Sequence, residues 1–331
     1  MAIRDPLPSY TGITTFLRAP LVDPEDVQPG TVAIIGAPHD CATRQGSRGG
    51  PKAIREGSLH LAYYFETADN HELLDVSSGK TVRWDGDGSL VDTGDVNVYP
   101  TNIEKTGQAI SAAVERVAAQ GAFPVTLGGD HFITYPCVRG FVSAVRRKKK
   151  QARVGYLHLD AHLDLGDDSP VFGKLSNATN ARRVAELEGV NPKNMVMVGI
   201  RGYVRKDQWD FIRETGIRIF TMGDVRRKGL AEVIREAVRL AGQGCDTVYF
   251  TLDMDVVDAA YAPGVGGVAF GGLTSAELLE AVTLLASDRK IGAMDVVEVN
   301  PSFDVGEITA RLAVAALMTF VGPKIFKGTS K

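Results

Sequence analysis

Residues 154–164 read VGYLHLDAHLD: six mostly apolar residues followed at once by Asp160, His162 and Asp164. An apolar run of that length fits a strand buried on both faces. The polar cluster begins where the run stops. Two other stretches share this grammar. FPVTL at 123–127 leads into Gly128, Gly129, Asp130 and His131, and TVYFTL at 247–252 leads into Asp253, Met254 and Asp255. Further apolar runs lie at 31–36 (TVAIIG), 195–200, 217–222 and 292–299. Amphipathic stretches separate them at 103–120, 230–241 and 275–285, and Pro51 opens another helix after the Gly-rich RQGSRGG segment. Buried strands alternating with helices predict a three-layer α/β/α domain with a mainly parallel central sheet, whose site lies at the carboxyl ends of the strands. Residues 1–30, rich in Pro, Asp and Gly, are expected to form an extended arm. Residues 31–331 are expected to form a single domain, with a turn-rich excursion carrying short strands at 71–101.

Three strand ends would then converge on one place. In Asp160-x-His162-x-Asp164 and Asp253-x-Asp255 the i, i+2, i+4 spacing puts the side chains on one side of an extended chain. Four carboxylates and two imidazoles exceed what one tetrahedral zinc needs, and no thiolate accompanies them. This donor set suits two ions of the Mn, Fe, Co or Ni kind. Such a pair can acidify a shared water into a nucleophile near neutral pH, which predicts a hydrolase. Asp164 is the candidate for holding that water's proton. A lone Asp-x-Asp at a strand end often only caps a following helix; three clusters at three strand ends are a different matter. His158 lies inside a strand and reads as a satisfied core residue, and His39, His60 and His71 have no ligand-type neighbours in sequence.

The rest of the chain narrows the classes. The 331 residues are 44% hydrophobic and 23% charged, with a formal net charge of -3. That balance favours neither a nucleic-acid nor a membrane partner. The basic run RRKKK at 146–150 reads as a solvated helix end, where cations suit the helix dipole. Cys41, Cys137 and Cys245 have no zinc-knuckle or disulfide spacing. No signal core and no membrane span are read, so a cytoplasmic enzyme is expected.

These clusters resemble the signature of the ureohydrolase family, which includes arginase and agmatinase. GGDH at 128–131, DAHLD at 160–164 and TLDMDVVD at 251–258 match its three motifs. GITTFLRAP near residue 12, IIGAPHD with RQGSRGGPKAIR, and DVVEVNPSFD at 295–304 are similar to the agmatinase branch. The resemblance implies a binuclear centre, with Mn2+ first and Ni2+ as the alternative, held by His131, Asp160, His162, Asp164, Asp253 and Asp255. Asp160 and Asp255, or their partners, would bridge the ions. It implies a bridging hydroxide that attacks a guanidinium or amidine carbon, usually releasing urea. Glu298 matches the carboxylate that takes the guanidinium nitrogens, as a planar cation suits a two-oxygen acceptor; its other reading is a cap or an ion-pair partner. The family also implies a homo-oligomer, a trimer or a hexamer.

This chain departs from the pattern around the substrate. Where agmatinase-like members read S-H-G-T, with a proton-shuttling His, it has Ser176, Asn177, Ala178 and Thr179. Asn177 hydrogen-bonds but does not titrate. Asp258 is followed by Ala259 instead of Pro, and a G-T-P turn is replaced by Gly264-Val265-Gly266-Gly267-Val268. Leu165 follows the second motif where a polar residue is common. The substrate is therefore expected against Glu298, Asn177, Thr179 and Gly266, with Asp164, Glu298 and Asn177 carrying the chemistry. It is expected to be a small guanidino or amidino compound other than plain agmatine or arginine: guanidinobutyrate, guanidine, guanylurea or a biguanide. The alternatives are a true agmatinase yielding urea and putrescine, a non-catalytic partner subunit of a mixed oligomer, and, with less support from these acid-rich loops, a two-metal phosphoesterase.

Overall fold

The computed structural model describes residues 11–42, 44–76 and 79–328. Its strands are β1 (Val32–Ala37), β2 (Glu72–Asp75), β3 (Lys80–Arg83), β4 (Leu90–Asp95), β5 (Phe123–Gly128), β6 (Val154–Leu159), β7 (Val190–Ile200), β8 (Arg218–Thr221), β9 (Thr247–Asp253), β10 (Ile291–Val297) and β11 (Lys327–Gly328). Eight of them form one sheet in the order β4-β1-β5-β10-β9-β6-β7-β8. Every pairing in that sheet is parallel. β11, β3 and β2 make a small antiparallel sheet. The helices are α1 (Gly50–Thr67), α2 (Ile103–Ala119), α3 (Thr134–Lys148), α4 (Asn180–Ala185), α5 (Lys206–Thr215), α6 (Met222–Lys228), α7 (Leu230–Ala241), α8 (Ser275–Ala286) and α9 (Ile308–Ile325).

Strand residues alternate between two cores. Val32, Ile34, Leu157 and Leu159 face one with α1 and α6 to α9, while Ala33, Ile35, Val154 and Tyr156 face the other with α2 to α5. This makes the expected three layers. Helix starts follow local chemistry: Asn102 Oδ1 accepts from the Lys105 amide at 2.8 Å to begin α2, and Thr274 with Glu277 forms a reciprocal box at α8. The RRKKK run closes α3, where Arg147 pairs with Glu115 and Lys149 with Asp246 across exposed edges.

Three features extend the sequence reading. The 71–101 excursion contains β4, which joins the main sheet at its edge beside β1. Asp92, in the middle of β4, is fully buried and held by Arg55 of α1, so this strand lacks the apolar signature. In the expected arm, Phe16 and Leu17 are buried, and their amides bond to Asp92 Oδ2 at 2.9 Å and Ser58 Oγ at 2.8 Å. Where no membrane-length segment is read from the sequence, α9 is long and apolar enough to cross one. It is apolar all round because Ala313, Leu317 and Phe320 are buried in the core shared with α1 and α8.

The crossover from β5 to β6 leaves a gap that β9 and β10 later fill. The carboxyl ends of β5, β10, β9 and β6 are therefore contiguous, and they carry His131, Glu298, Asp253 with Asp255, and Asp160 to Asp164.

Candidate metal centre

His131 is fully buried just after β5, and its ring faces three carboxylates. Its Nδ1 lies 3.0 Å from Asp160 Oδ2, 3.0 Å from Asp164 Oδ2 and 3.0 Å from Asp253 Oδ2. The neighbouring hydrogen bonds assign its tautomer. Thr251 Oγ1 donates to Asp295 Oδ1 at 2.5 Å, so it accepts from His131 Nε2–H at 3.2 Å. In the neutral ring, Nδ1 then carries a lone pair aimed at three acids. Neither Nδ1 nor Asp160 Oδ2 has an aligned hydrogen-bond partner. Burial alone would lower the His131 pKa, but the Asp160, Asp164 and Asp253 carboxylates outweigh it and raise it well above the usual value.

A second cluster adjoins the first. His162 Nδ1 is 2.9 Å from Asp255 Oδ2 and 3.5 Å from Asp160 Oδ1. Asp160 thus turns one oxygen to each imidazole. Asp253 faces the His131 side and Asp255 the His162 side, so among these contacts the spanning residue is Asp160. The remaining carboxylate oxygens are held by the chain: Asp253 Oδ1 accepts from the Asp255 amide at 2.8 Å, and Asp255 Oδ1 from the Ala161 amide at 3.0 Å. Burial pushes the Asp253 and Asp255 carboxyls up, and the neighbouring charges push them further. Among the described residues, no Lys or Arg side chain pairs with Asp160, Asp253 or Asp255. Packed acids around orphaned donors, without a covalently attached cation, fit a pair of divalent ions.

His158 occupies the layer behind. A carbonyl can only accept, so Nε2, 3.4 Å from the His162 carbonyl, carries the proton, and Nδ1 meets the Tyr156 hydroxyl at 2.9 Å. Although its Nε2 is 2.8 Å from Asp160 Oδ2, the ring has no lone pair left for an ion. It is the core residue read from the sequence, with the added task of packing beside the Asp160 carboxylate. Thr251, Asp295 and Asn180 have similar tasks that sequence reasoning missed. Asn180 Nδ2 donates to Asp164 Oδ2 at 2.7 Å, and Asp295 also accepts from the Tyr249 hydroxyl at 2.8 Å. For Thr251 and Asp295 the available signal was a polar residue inside an apolar strand; Asn180, at the start of α4, gave none.

Asp164 and Glu298 both have left-handed backbones, with φ of 51° and 66°. Each costs about 1–2 kcal/mol for a residue with a Cβ, and both occur where side chains must turn into the site. Glu298 Oε1 accepts from the His131 amide at 2.8 Å, and Ser47 Oγ sits 3.4 Å from Oε2. Burial, and then the charge of Asp130, push its carboxyl up to about 8. Its carboxylate meets the first amide of the short helical turn that leads into α3, and it pairs with no cation among the described residues. A Cβ at Gly266 would come 2.4 Å from Glu298 Oε2, and one at Gly267 would come 2.9 Å from His162 Cε1. A side chain at either position would displace Glu298 or His162 from where it stands.

A cavity of about 310 Å³ opens above this floor. Glu298, Asp164, Asn177 and Gly266 line it. Thr179 does not reach it: it is fully buried, and its hydroxyl bonds to the Lys174 carbonyl and the Ser176 amide at 2.9 Å each. It shapes the turn that presents Asn177, which corrects the expectation of a substrate contact.

Residues 30–322 match the arginase family model. The chain is 35% identical to guanidinopropionase of Pseudomonas aeruginosa, over 95% of this chain and 92% of that protein. It is 32% identical to guanidinobutyrase of the same organism, over 94% and 92%. Among solved structures, proclavaminate amidino hydrolase from Streptomyces clavuligerus superposes with a TM-score of 0.78 at 30% identity, covering 95% of this chain and 98% of that one. The chain belongs to the arginase family.

Proposed function

We propose that this member of the arginase family is a binuclear-metal amidinohydrolase that cleaves a C–N bond of a small guanidino compound. The observation that carries the proposal is Glu298: a buried carboxylate without a cation, set in one cavity with two imidazole–carboxylate clusters. His131, Asp160, Asp164 and Asp253 would hold one ion, and Asp160, His162 and Asp255 the other. Bound, the ions supply an acidified water and positive charge at the reacting carbon.

The chain's own groups do the rest. Glu298 has acceptor capacity left after its bond to the His131 amide, so it can take two N–H groups of a planar guanidinium. A carboxyl raised to about 8 ionises as the cation arrives, so head-group binding and proton release are linked. Asp164, anchored at Oδ2 by Asn180, has its other oxygen to take and return a proton. Asn177 donates a hydrogen bond at the cavity edge and cannot titrate. Among the described residues, the imidazoles lining the cavity are the ligand candidates His131 and His162, so Asp164 or solvent supplies the leaving amine's proton.

The relatives named guanidinopropionase and guanidinobutyrase support a substrate other than arginine. The departures at Asn177 and at Gly264 to Val268 point away from plain agmatine. Mn2+ is the first choice of ion and Ni2+ the alternative. A homo-oligomer, trimer or hexamer, is part of the proposal and is measured by sedimentation. Cytoplasmic residence fits three cysteines that are all free thiols. The test reconstitutes the purified chain with Mn2+ or Ni2+ and assays guanidino acids, agmatine, guanidine, guanylurea and biguanides, measuring urea and ammonia together. Turnover of a guanidino compound other than agmatine and arginine is expected. Preferred turnover of agmatine, or none of any compound by the fully loaded protein, contradicts the proposal.

A further inference from the structure

Arg201 follows β7 and borders the cavity, but its guanidinium is spent on the main chain behind the metal centre. Nη2 donates to the carbonyls of Asp255 at 2.6 Å, Val257 at 3.3 Å and Ala269 at 3.3 Å. Nη1 donates to Gly199 at 3.1 Å and Val256 at 3.2 Å, and Nε to Phe270 at 3.0 Å. Asp255, Val256 and Val257 stand at the end of the short turn Met254–Val256, where carbonyls lack partners within the turn. Ala269 and Phe270 lie on the segment that carries Gly266 and Gly267. The Arg201 amide reaches a third segment, donating to the Ala161 carbonyl at 3.0 Å, between Asp160 and His162.

The surroundings are shaped around this side chain. The pairing of β7 with β8 shifts register at Gly199, whose φ is 102° and whose Cβ would come 2.5 Å from Val256 Cγ2. Such an irregularity re-aims the residues that follow it. A Cβ on Gly272 would come 2.6 Å from Arg201 Nη2. From the other side, Asp258 Oδ2 accepts from the Gly271 amide at 2.5 Å and the Gly272 amide at 3.2 Å, and the Leu273 amide donates to the Val256 carbonyl at 3.0 Å. Arg201 and Asp258 thus latch residues 255–258 to residues 269–273 through main-chain groups. The charges that favour the guanidinium are those of Asp255, Asp160, Asp258 and Asp253, against the cost of its burial.

We infer that Arg201 is a positioning residue of this centre: it joins the Asp255 turn, the Asp160–His162 segment and the Gly266–Gly267 wall into one unit, and so sets the Asp160, His162 and Asp255 cluster for its ion. This rests on the two-ion reading proposed above. The His131 cluster draws its supports from Thr251 and Asn180 instead, so it does not depend on this latch. A lysine would keep the charge, but an ammonium lacks the planar fork that meets carbonyls in several directions.

The experiment compares wild type, Arg201→Gln, Arg201→Lys and Asp258→Asn. Ions are counted by native mass spectrometry after reconstitution with Mn2+ and desalting, and hydrogen–deuterium exchange is followed on the metal-free chains. Wild type is expected to hold two ions. Both Arg201 variants are expected to hold one, the second returning only at roughly tenfold or more higher Mn2+. Their exchange should quicken at residues 254–273 and stay unchanged in the sheet interior. Asp258→Asn leaves Arg201 in place and should show the same local exchange with a smaller loss of the second ion; it carries the test if the Arg201 variants fold poorly. Retention of both ions at wild-type affinity in the variants, loss of both ions together, or full recovery in Arg201→Lys overturns the role of Arg201. So does faster exchange spread through β6 and β9. A wild type that holds no ion, with local exchange still quickened in the variants, supports the latch and overturns the two-ion reading.

Discussion

Two clusters of buried acid lie on opposite sides of β1, and they are neutralised in different ways. At the β4 edge, Asp92 is fully buried, but Arg55 of α1 reaches it with Nε and Nη2 at 2.8 Å each and extends Nη1 to Asp95 at 2.5 Å. The chain supplies its own cation, and the Phe16 and Gly94 amides complete the acceptors. At the strand ends, Asp160, Asp253 and Asp255 are buried as deeply, yet among the described residues the basic side chains that pair with them are imidazoles. A buried charge is tolerated when paired and is costly otherwise. The first cluster is a structural staple closed within the sequence. On the proposed reading the second is completed by cations from solution, and that difference separates a fold-holding acid from a chemistry-bearing one.

Substitutions should respond to this difference in opposite ways. Asp253→Asn is expected to cut turnover by about 10^3-fold, with metal content falling and the melting temperature of the metal-free protein unchanged or higher, since a repelling charge is gone. A metal-free melting temperature that falls by many degrees would break the comparison. Arg55→Ala is expected to destabilise the fold by about 3–5 kcal/mol, because it strands Asp92 without a partner. Denaturant unfolding measures this, and turnover per folded molecule should change little. Thr251→Val leaves every ligand in place but removes the acceptor that fixes the His131 tautomer. Metal affinity is expected to fall about 10–100-fold, read by competition with a chelating dye.

The last prediction concerns pH. The Glu298 carboxyl has a folded pKa of about 8, above the ordinary carboxylate value, so the folded metal-free protein binds more protons than the unfolded chain between those values. Stability therefore falls as pH rises from about 5 to about 8, by up to about 1.4 kcal/mol per unit for this one group. Glu298→Gln should flatten that slope in thermal melts of the metal-free protein. An unchanged slope would assign the pH dependence to other buried acids.

Much of this was readable in the residues, for physical reasons. Strands buried on both faces are continuous apolar runs, so β5, β6 and β9 and the polar clusters at their ends were legible, and with them the six residues proposed to hold the ions. β4 was not, because its central residue is an acid whose partner lies far away in α1. Nor were Thr251, Asp295 and Asn180, whose importance depends on what they touch across strands. Thr179 was misread because its neighbour Asn177 faces the cavity while its own hydroxyl is spent on the turn.

The central claim, that the strand-end acids await two ions, is tested most directly by metal stoichiometry. The purified chain, stripped with chelator and reconstituted with Mn2+ or Ni2+, is desalted and analysed by native mass spectrometry alongside Asp160→Asn. The account predicts two ions per chain in wild type and loss of both in Asp160→Asn, since Asp160 turns an oxygen to each cluster. A wild-type chain that retains no ion, or only one, would contradict it.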